Sequence, residues 1–121
     1  MQIEQFVVNV NSERPEELIR FYRDIVGLTP ADQVAPGAFM VGSASFISLI
    51  IEGHENVTGG TKEPERMLLN FLVEDVEGEQ ARLEGLGVRF TRPASHDEGF
   101  GTVATFVDPD GNLCQLMHLD G

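Results

Sequence analysis

Residues 105–116 read TFVDPDGNLCQL, in which Asp-Pro-Asp-Gly separates two apolar, strand-like runs. Pro109 fixes φ for a turn, Asp108 and Asp110 can cap that turn, and Gly111 supplies a left-handed residue. The stretch therefore predicts a β-hairpin, and the residues that leave its turn lead to Gln115.

The same order of predicted elements occurs twice along the chain. In the first half, residues 5–10 form an apolar run typical of a buried strand. A helix follows, with Pro15 in its first turn and Gly27 at its end. Its apolar side chains recur at spacings of three and four, namely Leu18, Phe21, Tyr22, Ile25 and Val26. Strand-like segments follow at residues 28–34, 39–41 and 46–51.

The second half repeats this order. Residues 68–73 predict a strand, Asp75 is placed to cap a helix that carries Val76, Leu83 and Leu86, and Gly87 ends it. Strand-like segments follow at residues 88–91, 102–107 and 113–119. We therefore predict one α+β domain with two βαβββ units: unit one at 1–52, a polar linker at 53–65, and unit two at 66–121.

Two nearly equal offsets indicate an internal duplication. A shift of 63 places residues 10–12 on residues 73–75, and a shift of 66 places residues 41–49 on residues 107–115. A chance match of order is the alternative, but a repeated period favours duplication.

The composition limits the classes of partner. Eight basic and twenty acidic side chains give a net charge of −12, which disfavours nucleic acids and anionic membranes. No apolar run has the length of a membrane span, and the first residues lack the basic start of a signal peptide. Cys114 is the single cysteine, which excludes an intramolecular disulfide. We therefore expect a cytoplasmic protein.

The segment FYRDIVGL at residues 21–28 resembles the helix end of the vicinal oxygen chelate superfamily, which includes glyoxalase I, extradiol dioxygenases, and fosfomycin and bleomycin resistance proteins. Residues 73–76, 86–88 and 108–112 are similar to other motifs of that superfamily. The resemblance covers essentially the whole chain. It implies curved mixed sheets with helices on the convex side (the glyoxalase/bleomycin resistance/dioxygenase fold), and a cavity formed by paired units, often across a homodimer.

The resemblance also implies four metal-ligand positions. Carried over by motif, they fall on Gln5, Leu49, Leu68 and Gln115. Leucine has no donor atom, and neutral amides are poor ligands beside histidine or carboxylate. The general-base carboxylate expected at Gln115 is also missing. We therefore expect no metal and no other cofactor, and a glyoxalase or extradiol dioxygenase mechanism is disfavoured.

Strand alternation predicts the lining of the cavity. It is mostly aliphatic with four neutral amides, and it suits an uncharged or amphipathic organic ligand. Plain packing of a collapsed cavity or of a dimer interface is the alternative. The candidate ligand-binding residues are Gln5, Asn9, Leu49, Leu68, Asn70, Gln115 and Met117.

The register of the strand near residues 46–51 is open, because this segment is apolar almost throughout. A shift of one residue would turn Ser48, Ile50 and Glu52 inward in place of Leu49. Glu52 could then join Gln5 and Gln115 at a metal site, which would still have no histidine. His54, His96 and His118 show no ligand spacing, and Cys114 is expected to be buried and inert.

Three functions remain open. The first is a metal-independent protein that binds a small organic molecule and sequesters a drug, as bleomycin resistance proteins do. The alternative is a dioxygenase, lyase or isomerase with a non-standard site. A structural or regulatory dimer whose side chains fill its own cavity is the third.

Overall fold

The computed structural model describes residues 1–31 and 34–121. The chain divides into two compact units, Met1–Gly59 and Gly60–Gly121. Each contains a four-stranded mixed sheet and a helix, so the predicted α+β class is confirmed. Within the described part of the chain, no helix is both long and apolar enough to cross a membrane.

The first unit has strand order β1-β4-β3-β2, with β1 parallel to β4 and the other pairs antiparallel. Its helix α1 continues as a π-helical segment, Phe21–Val26. The regular elements are β1 (Val8–Ser12), α1 (Pro15–Arg20), β2 (Thr29–Pro30), β3 (Ala38–Met40) and β4 (Leu49–Gly53).

The helix of the first unit begins and ends as its residue types predict. Pro15 lies in the first turn, and Gly27 ends the π-helical segment at a φ of +89°, a conformation that favours glycine. Leu18 and Tyr22 are fully buried beneath the helix. Hydrogen bonds from Arg23 to Asp24 lower the pKa of that exposed carboxyl.

The second unit has the corresponding order, β5-β8-β7-β6. Asp75 caps α2 as predicted, because its Oδ1 accepts a hydrogen bond of 2.9 Å from the Gly78 N–H. A short 3₁₀ turn, Pro64–Arg66, precedes the first strand. The regular elements are β5 (Leu68–Leu72), α2 (Val76–Gly85), β6 (Phe90–Asp97), β7 (Gly101–Val107) and β8 (Leu113–Leu119).

Several strand boundaries differ from the sequence prediction; β4, for example, begins at Leu49 rather than at residue 46. β1 begins at Val8 rather than at Gln5. The strand predicted at residues 28–34 is limited to Thr29–Pro30, and its residues 32 and 33 lie outside the described residues. β6 continues to Asp97, beyond the strand-like segment predicted at residues 88–91. It does so because β6 is an edge strand, where Pro93 and two register shifts are tolerated.

The hairpin predicted at residues 105–116 is formed by β7 and β8. Asp108 is only 4% exposed, and its Oδ1 accepts hydrogen bonds of 2.9 Å from the backbone N–H groups of Asp110 and Asn112. Its Oδ2 accepts a third, also 2.9 Å, from the Asn112 side chain. Gly111 has a φ of +85°. The Thr61 N–H donates to the Asp110 carbonyl, so the start of the second unit is anchored on this turn.

Replacing Asp108 tests the contribution of this turn. Asp108→Ala should lower the free energy of unfolding by about 2–4 kcal/mol. The reason is that the backbone N–H groups of Asp110 and Asn112 and the Asn112 side chain lose a charged acceptor. Urea denaturation measures the change. Asp110→Ala is the matched control from the same turn and should change stability by less than about 0.5 kcal/mol. Equal losses for the two variants would contradict this role of Asp108.

Candidate functional site

In the second unit, α2 covers one face of the sheet and leaves the other face without a helix. α2 contacts β6, β7 and β8, and on its side Cys114 and Leu116 are at most 4% exposed. Alternation places the next residues of β8 on the opposite, open face. The parallel pairing of β5 with β8 then brings neighbouring side chains together there, namely Leu68, Asn70, Leu72, Gln115 and Met117.

This open face is apolar with two amides. Leu68 is 39% exposed and Leu72 is 63% exposed. Asn70 pairs with Gln115, and the Gln115 Nε2 donates a hydrogen bond of 3.2 Å to Thr105 Oγ1. Four predicted site residues, Leu68, Asn70, Gln115 and Met117, therefore lie on one surface. Their role in ligand binding stays a prediction.

The first unit has a corresponding open face. β1 and β4 are parallel, and Asn9 pairs with Ile50. The Asn9 Nδ2 donates a hydrogen bond of 3.1 Å to Glu52 Oε2, so these two side chains lie on the same face. Asn9 is therefore on the open surface, with a carboxylate beside it.

Leu49 does not lie on that open face, so the expected orientation of this side chain is wrong. Leu49 is 4% exposed and pairs with Val8 and with the fully buried Phe39. The alternative orientation is the observed one, because Ile50 and Glu52 lie with Asn9 on the open face.

The pairing of β1 with β4 explains this error. Phe39 pairs with Leu49 and Thr105 pairs with Gln115, each ten positions later, so the offset of 66 relates the two hairpins correctly. In the parallel pairs, however, Leu49 lies opposite Val8, whereas Gln115 lies opposite Asn70, which the offset of 63 places on Val7. The two units therefore differ by one residue in this pairing, and a slip of one residue exchanges the two faces of a strand.

A pocket of about 520 Å³ lies in the first unit, near the start of β4. Gln5 is the one predicted site residue that lines it. The Gln5 Nε2 donates a hydrogen bond to the Ile47 carbonyl, which fixes the amide at the pocket. The described lining is apolar apart from two neutral polar side chains, and it consists of Gln5, Pro30, Ala31, Val34, Met40, Ser45, Phe46 and Ile47.

The sequence analysis did not identify most of this pocket, because its residues come from strand ends and loops. Phe46 is 46% exposed and Val34 is 68% exposed. Large apolar side chains in a segment with glycine and serine, such as residues 41–47, were the available signal.

The described lining of this pocket includes no histidine and no cysteine. His54 accepts a hydrogen bond from the Asn56 N–H, and His118 lies 3.1 Å from the Val73 carbonyl oxygen. His96 pairs with Asp120 at 3.0 Å on the surface. Cys114 is fully buried, as predicted.

The residues at the expected metal positions do not fit a divalent cation. Leu49 and Leu68 have no donor atom, and the neutral amides of Gln5 and Gln115 are poor ligands compared with histidine or carboxylate. Among residues 1–31 and 34–121, no group of three or more His, Cys, Asp or Glu side chains could hold a metal ion.

Comparison with known families identifies the fold. The model of the glyoxalase/bleomycin resistance protein/dioxygenase superfamily matches residues 2–116. The chain belongs to this superfamily. The resemblance inferred from the sequence motifs is thereby confirmed. No curated protein matches the chain.

Solved structures of the superfamily's fold resemble the chain over nearly its whole length. TnmS3, an antibiotic binding protein from Streptomyces sp. CB03234, is 25% identical with a TM-score of 0.75, covering 99% of both chains. A superfamily member from Sphaerobacter thermophilus DSM 20745 is 18% identical with a TM-score of 0.72, covering 97% of this chain and 98% of that one. A hypothetical protein from S. aureus is 16% identical with a TM-score of 0.74, covering 98% and 95%. The last two similarities support the fold alone.

Paired substitutions test the observed register. Leu49→Ala should lower the free energy of unfolding by about 2–4 kcal/mol, because it leaves a cavity beneath α1. Leu68→Ala, at the position that we expected to be equivalent in exposure, should cost less than about 1 kcal/mol. Urea denaturation compares the two variants. A larger loss for Leu68→Ala would contradict the assigned faces.

Proposed function

We propose that this superfamily member is a metal-independent protein that binds a small organic molecule in the pocket of its first unit. The observation that carries the proposal is the pocket itself. Its volume of about 520 Å³ lies within the range of roughly 300–1,000 Å³ that is usual for ligand sites. Its described lining is mostly apolar, with Gln5 and Ser45 as groups that can orient a ligand.

Two further observations support binding without a metal. Two of the four expected ligand positions are leucines, which cannot coordinate a cation. TnmS3, similar over 99% of both chains, is an antibiotic binding protein. We therefore propose, more specifically, that the protein sequesters a drug. We place the binding in the cytoplasm because the chain has a single, buried cysteine.

Binding of α-naphthol, a neutral aromatic probe, tests this proposal. Phe46→Ala should weaken binding about tenfold, because the probe loses an apolar wall of the pocket. Phe100→Ala is the matched control, since Phe100 is also 46% exposed but belongs to the second unit. Titration followed by amide NMR shifts measures affinity and location together.

Two results would overturn the proposal. The first is the absence of binding, or equal binding by both variants, with shifts outside the residues that line the pocket. The second is stoichiometric Fe, Mn, Ni or Zn in the purified protein, which would favour a dioxygenase, lyase or isomerase with a non-standard site.

We also propose that the protein is a homodimer. The open face of the second unit exposes Leu68 and Leu72. Exposed large apolar side chains on one face of a sheet are typical of protein interfaces. A symmetric pair of chains would cover such a face in both copies.

Substitution of Leu72 tests the dimer. Leu72→Asp should convert the dimer to a monomer, because a buried, unpaired carboxylate is costly at an interface. Leu86→Asp is the control, since Leu86 is 52% exposed but follows α2. Light scattering after size-exclusion chromatography measures the mass. A monomeric unmodified protein, or dissociation by both variants, would argue against this interface.

A further inference from the structure

The Gln5 side chain has one hydrogen-bonding atom free to contact a ligand. Its Nε2 donates to the Ile47 carbonyl, and because a carbonyl only accepts, this bond fixes which end of the amide faces Ile47. Within the described residues, Gln5 Oε1 accepts no hydrogen bond. Gln5 Oε1 is therefore a hydrogen-bond acceptor for a ligand in the pocket, and the bond from Nε2 to Ile47 holds its orientation.

The rest of the described lining adds no charge. Pro30, Val34, Met40 and Phe46 form apolar walls, and Ser45 carries the second polar group. A carboxylate or phosphate would find no cationic side chain among these residues, and it would enter a protein with a net charge of −12. A ligand oxygen that carries no hydrogen also cannot donate a hydrogen bond to Gln5 Oε1.

From this arrangement we infer that the pocket selects apolar ring compounds that carry a neutral O–H or N–H donor, and that Gln5 is the specificity-determining residue. This inference rests on the proposed binding function and names the ligand class of the same pocket. The ring occupies the apolar walls, and the donor hydrogen-bonds to Gln5 Oε1. Ligands that lack the donor lose this bond, and anionic ligands are excluded.

Matched probes test the selection on the unmodified protein. α-Naphthol, α-methoxynaphthalene and α-naphthoate share one ring system and differ in the group that faces Gln5. Near neutral pH, α-naphthol should bind roughly two- to tenfold more tightly than the methyl ether, which is the range expected for one net hydrogen bond. The naphthoate anion should bind more weakly than either neutral probe.

Variants assign the preference to Gln5. Gln5→Leu should make the affinities for α-naphthol and its methyl ether equal, and the coupling between probe and side chain follows from the cycle of four affinities. Gln2→Leu replaces an exposed glutamine that does not line the pocket, and it should retain the preference.

The outcomes separate this inference from the proposed function. If neither neutral probe binds in the pocket, both fail. If both probes bind there with equal affinity, or if the preference survives Gln5→Leu or is lost in Gln2→Leu, the binding function stands and the role of Gln5 is overturned. Tighter binding of naphthoate than of naphthol would overturn the ligand class.

Discussion

Each sheet in this protein has one helix of its own unit to cover it, and a helix can cover only one face. Side chains in a strand alternate between faces, so half of them must be apolar enough to lie beneath the helix. Leu49, Leu116 and Cys114 meet this requirement. The side chains on the other face do not have to pack beneath the helix, and at these positions the chain carries amides, a carboxylate and exposed leucines.

Much of the fold could be predicted because its signals are local. Asp75 caps α2 through its own side chain, and Gly27 ends the first helix through its own backbone freedom. The Asp-Pro-Asp-Gly turn also fixes its conformation within four residues. Such features need no knowledge of distant contacts, so short motifs specify them.

The candidate site was less predictable because it depends on register and on loops. The segment at residues 46–51 is apolar on both faces, so its sequence alone does not determine which of its side chains lie beneath α1. The pairing of β4 with β1 decides this, and it differs by one residue from the pairing of β8 with β5. The pocket depends on Pro30, Met40 and Phe46, which come together only when β2, β3 and β4 pair.

Pro93 has a consequence at the level of the cell. A protein that binds a ligand without converting it removes one molecule per site, so its capacity depends on its abundance. Abundant β-proteins risk joining through their edge strands. β6 is such an edge, but Pro93 has no N–H to offer a second chain, and two register shifts interrupt its pairing. The net charge of −12 further opposes association of copies through this edge.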